Sequence, residues 1–81
     1  MIHKLKTHQK YFVDVYSGLK NFELRFNDRN YKIGDELILE EYIPESEFYT
    51  GRILHRRIDC ILKGGVFGLE EGYVILALSK L

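Results

Sequence analysis

Only one stretch of this chain carries a helical repeat. Phe12, Val15, Tyr16 and Leu19 fall at i, i+3, i+4 and i+7, one face of a helix. The remaining apolar runs alternate or are short and continuous, as strands do. One helix against about five strands points to an α+β, mainly β class. The architecture that suits this ratio is a small, partly closed barrel whose single helix follows the first strand and plugs one end. With 81 residues and no repeats or linkers, residues 1–81 form a single domain.

The order of elements follows from local signals. Ile2-His3-Lys4-Leu5-Lys6 alternates and reads as a strand, and Thr7 is placed to cap the helix after it. The helix spans Gln9 to Ser17, with Gly18 at the left-handed position after its end. A strand from Lys20 to Phe26 comes next, then a polar loop, Asn27-Asp28-Arg29-Asn30. Ile33-Gly34-Asp35 turns into a strand from Glu36 to Ile43, stopped by Pro44. Arg52 to Leu62 is a long strand in which Ile58, Cys60 and Leu62 share a face, so Cys60 is expected to be buried. Lys63 to Gly68 is a glycine-rich loop. Tyr73 to Leu78, apolar on both faces, is expected in the middle of the sheet.

Composition narrows the function classes. A single cysteine excludes an internal disulfide, and with three scattered histidines it gives no zinc pattern. No apolar run approaches the ~20 residues of a membrane span. The first residues lack the apolar core of a signal peptide, so the expected setting is cytoplasmic, with no membrane, metal or cofactor. Formal net charge is zero, but the charges are segregated. Residues 1–32 hold seven Lys/Arg against three Asp/Glu, and residues 33–50 hold six acids and no base. Residues 51–63 return to a positive balance. Such segregation makes local patches, or pairs across a sheet.

Chemistry concentrates in Gly18-Leu19-Lys20-Asn21-Phe22-Glu23-Leu24-Arg25. Strand alternation sets Phe22, Leu24 and Phe26 on one side and Glu23 and Arg25 on the other. The apolar side is the expected core side. On spacing alone, Glu23 and Arg25 read first as a structural ion pair. Lys20, just past a helix C-terminus, fits either a dipole contact or a phosphate contact.

The same run resembles the G-x-K-x-x-E-x-R signature of the ASCH domains, relatives of the PUA RNA-binding fold. Phe22-Glu23-Leu24-Arg25-Phe26-Asn27-Asp28-Arg29, Gly34-Asp35-Glu36-Leu37, Tyr49-Thr50-Gly51-Arg52 and Phe67-Gly68-Leu69 extend the likeness to a small ASCH-like bacterial and phage branch. The resemblance implies a PUA-like barrel with a helix-side cleft lined by Gly18, Lys20, Glu23 and Arg25. The ligand it implies is RNA or a modified nucleotide. One bacterial ASCH branch hydrolyses N4-acetylcytidine with a Thr nucleophile where this chain has Glu23. The resemblance therefore leans toward recognition, with Lys20 and Glu23 as the catalytic pair if the chain is instead an amidohydrolase.

Further candidates lie outside the signature. Arg29 is placed to lean over the cleft mouth or to serve its own turn. Arg57 belongs either to a solvated strand face or to a phosphate-tracking groove. Tyr49 is the best placed of six tyrosines to stack on a base. The acidic stretch 35–47 offers a third function, a protein contact surface.

Overall fold

A computed structural model describes residues 1–81. Its elements are β1 (Ile2–His8), α1 (Gln9–Tyr16), β2 (Phe22–Phe26), β3 (Glu36–Ile43), β4 (Phe48–Lys63) and β5 (Tyr73–Lys80). The five strands form one sheet in the order β1-β3-β4-β5-β2, curled into a half-barrel. β1 pairs with β3 in parallel, and the other pairs are antiparallel. The mainly β class, the strand number and the single helix after the first strand are as the sequence predicts. β5 does lie inside the sheet, between β4 and β2.

α1 packs on β1 and β3 and drives Phe12 and Val15 into the core, where both are fully buried. Around them lie Leu5, Leu37, Leu39, Ile58, Val74 and Leu76. The helical stripe is narrower than its sequence suggests. Tyr16 and Leu19 are exposed, because the helix ends at Tyr16 and Ser17 occupies its C-cap. Gly18 then takes φ 85°, the left-handed turn its position predicts. Thr7 does not cap the helix. The N-cap is His8, with no side-chain bond, and Thr7 is the last inward residue of β1 after His3 and Leu5.

Two further expectations are corrected by strand geometry. β2 is turned over. Glu23 and Arg25 face the barrel interior, while Phe22, Leu24 and Phe26 face outward. The register explains it. Glu23 pairs with Leu76 and Arg25 with Val74, both inward residues of β5, and cross-strand partners share a face. Cys60 is exposed rather than buried. A bulge shifts the β4–β5 register between Ile58 and Cys60, so the extra residue flips the alternation and Ile61 becomes the next inward residue. No helix is long and apolar enough to cross a membrane.

Candidate functional site

The two edge strands of the sheet, β1 and β2, approach each other where the half-barrel curls, and side chains close the seam. Arg25 donates from Nη2 to the Lys6 carbonyl at 2.9 Å and to Thr7 Oγ1 at 3.3 Å. It also donates from Nε to Glu23 Oε2 at 3.0 Å. Lys20 donates from Nζ to the other oxygen, Glu23 Oε1, at 2.8 Å. Glu23 is only 3% exposed, and these two cations are the partners that offset the cost of its burial. Lys20 is itself fixed by its backbone N–H, which donates to the Asp14 carbonyl at 3.0 Å across the helix end.

This Lys20–Glu23–Arg25 relay forms one side of an open cleft of about 620 Å³. Lys6, Thr7 and His8 of β1, Tyr11 and Asp14 of α1, and Phe22 and Leu24 of β2 complete its lining. Lys20 Nζ lies 5.1 Å from the Phe22 ring centre and 5.8 Å from that of Tyr11. The cleft thus combines two aromatic rings, several cations and two carboxylates. That set can stack on a flat ring, hold an anion and accept hydrogen bonds from an amino group.

The signature residues Lys20, Glu23 and Arg25 converge here, whereas Gly18 serves as the turn that delivers Lys20. Three other candidates lie elsewhere. Arg29 is exposed in its loop, 4.0 Å from Asp28. Arg57 sits on the outer face of β4, 3.4 Å from Asp59. Tyr49 makes a T-shaped contact with Tyr42, ring centres 5.0 Å apart, outside the cleft lining. Sequence reading missed Thr7, Tyr11, Asp14, Lys6 and His8. Thr7 had a usable signal, since it continues the His3–Leu5 alternation. Tyr11 and Asp14 are three apart on the polar side of the helix, which marks a shared face but not its neighbour.

The acidic segment is resolved into pairs rather than a free surface at three positions. Glu41, fully buried, accepts from Arg52 through both oxygens at 2.9 Å, from Gln9 at 3.3 Å, and from Thr50. The Arg52 hydrogen bonds hold the Glu41 carboxyl down at about 2. The Arg52 guanidinium lies against Phe12 and Tyr16, 5.3 and 5.1 Å from their ring centres. Asp35 accepts from His3 at 2.9 Å, from the amino terminus and from the Lys32 N–H. The His3 bond leads in holding it at about 2. Glu36 pairs with His55 at 2.8 Å.

Residues 2–78 match the model of a family described as Domain of unknown function (DUF3850). The chain belongs to this family. It is also 47% identical over 75 residues to a protein of Escherichia phage P2, described as an uncharacterized 12.9 kDa protein in the GpA 3' region. The alignment covers 93% of this chain and 65% of the phage protein. The DUF3850 match spans all six elements, apart from the last two residues of β5, and so includes every residue of the cleft.

Proposed function

We propose that this DUF3850 domain binds a nucleotide, free or within single-stranded RNA, in the cleft between β1, α1 and β2. The observation that carries this reading is the convergence of Lys20, Glu23 and Arg25 on an open cavity that also presents Tyr11 and Phe22. The resemblance of Gly18 to Arg25 to the ASCH signature supports it from sequence. In this reading a base lies against the Tyr11 and Phe22 rings, Lys20 and Lys6 hold phosphate oxygens, and Glu23 or Asp14 accepts from an exocyclic amine. The volume suits a small ligand, within the roughly 300–1,000 Å³ range of ligand pockets. The setting proposed is the cytoplasm.

The test is a binding titration with short single-stranded RNAs and mononucleotides across salt concentrations. Affinity is expected to fall as salt rises, because phosphate contacts release counterions. Tyr11→Ala is expected to weaken binding about tenfold, since a stacked base is worth about 1–3 kcal/mol. Lys20→Ala is expected to weaken it and to reduce its salt dependence, since a phosphate contact is lost. Absence of binding to every probe at low salt would sink the proposal. A second reading, hydrolysis of an acylated nucleoside, rests on the 2.8 Å contact of Lys20 with Glu23. Both Glu23 oxygens already accept from cations, which supports recognition over catalysis. Cytidine released from N4-acetylcytidine above the buffer rate would reverse that order.

A further inference from the structure

The inversion of β2 has a consequence on the outside of the sheet. Phe22, Leu24 and Phe26 are 45%, 52% and 56% exposed. Opposite them on β5 stand Ala77, Ile75 and Tyr73, and beyond these on β4 stand Cys60 and Leu62, the latter 42% exposed. The registers align these side chains in rows across three strands. None of them carries a charge at neutral pH. An amphipathic strand with its apolar side in water and its charged side inside is the reverse of what a lone domain favours.

We infer that a second copy of this chain covers the outer face of β2, β5 and β4. Three observations select that occupant. The first is area. At these exposures each phenylalanine offers about 100 Å², and the patch as a whole about 500 Å² of apolar surface. One side of a standard interface is about 800 Å², of which about 56–65% is apolar, so the patch supplies the apolar part of an interface of that size. The second is chemistry. A nucleic acid or a charged peptide would need complementary charge across the patch, but its charges lie only at the rim, Lys20 beside Phe22 and the Arg57–Asp59 pair beyond Cys60, whereas its apolar centre is complementary to itself under two-fold symmetry. The third is net charge. At formal zero, two copies meet without long-range repulsion.

The dimer also bears on the cleft. Phe22 and Leu24 belong both to this face and to the cleft lining. A second copy seated on them becomes a neighbour of the cleft mouth and adds a wall beside Phe22. The dimer itself does not depend on which ligand the cleft takes.

Sedimentation equilibrium of the full chain tests this. The expected mass is twice that of one chain, 9.6 kDa. Phe26→Lys and Leu62→Lys, on different strands, are each expected to give the single-chain mass with the circular dichroism spectrum kept. Ile53→Lys, exposed near the other end of β4, is expected to leave the doubled mass unchanged. The melting temperature of the unaltered chain should also rise with concentration, because association stabilises the folded state. A single-chain mass at 100 μM overturns the inference, as does a mass above two chains. So does a melting temperature independent of concentration, a measurement that needs no variant and decides the matter if the lysine variants fail to fold.

Discussion

Glu23 shows how a buried acid can tie side chains together and still line a cleft. Its two oxygens hold Lys20 and Arg25, and Arg25 in turn holds the β1 backbone at Lys6. Removing the acid leaves two cations facing each other at the seam. Glu23→Ala is therefore expected to cost about 2 kcal/mol, less than the ~3–5 kcal/mol of a fully buried pair because Lys20 and Arg25 reach solvent. In a double-mutant cycle, Glu23→Ala with Lys20→Ala should cost less than the sum of the two. Additive costs from urea denaturation would show that the two residues do not act as a unit. The run Gly18–Arg25 was legible in sequence as a charged cluster, and the structure does gather its charges. Its facing was not legible. Alternation states which residues share a side, and only the pairing with β5 states which side is inside.

At the scale of elements, the sheet depends on the turn between β4 and β5. Gly64 donates its N–H to the Tyr73 carbonyl at 2.7 Å. A Cβ on Gly64 would overlap the Glu70 carbonyl oxygen and stand 2.9 Å from that of Tyr73, both backbone atoms that cannot swing away. Gly64→Ala is expected to destabilise the fold by roughly 2–3 kcal/mol through this overlap. Gly65→Ala serves as a comparison without overlap, since nothing lies within 4 Å of its Cβ, although its positive φ still costs about 1 kcal/mol. Equal denaturation midpoints for the two variants would contradict the close-approach argument. The glycine-rich loop was visible in sequence, and β3 was read to its exact ends, Glu36 to Ile43. The bulge after Ile58 was not visible, and that one extra residue carried Cys60 from the expected core to the surface.

Over the whole molecule, acid sensitivity is expected from two buried carboxylates, Asp35 just before β3 and Glu41 near the end of β3. Asp35 is lowered from 3.8 to about 2 by His3 and its other donors, and Glu41 from 4.5 to about 2 by Arg52 and its neighbours. Both folded values lie below the unfolded ones, so the unfolded chain takes up protons first as the pH falls. The stability from these groups is complete above about pH 4.5 and is lost progressively toward pH 2. Urea midpoints should drop steeply between pH 4.5 and 2.5. A midpoint unchanged at pH 2.5 would rule out this origin. The segregated charges of the sequence thus resolve into cross-strand pairs at Asp35, Glu36 and Glu41, while Glu45 and Glu47 remain exposed.

The sequence by itself determined the kinds of elements, their order and the charged cluster between Gly18 and Arg25. Those depend on local periodicity, turn chemistry and proline or glycine at fixed positions, all short-range properties of the chain. The tertiary structure decided what lies inside. Long-range pairing put the charged side of β2 against the inner face of β5, and the curl of the sheet brought β2 to β1. The cleft exists because two strands far apart in the sheet order become neighbours at the seam. Its lining therefore joins Lys6, Thr7 and His8 to Lys20, Glu23 and Arg25, which no spacing along the chain connects.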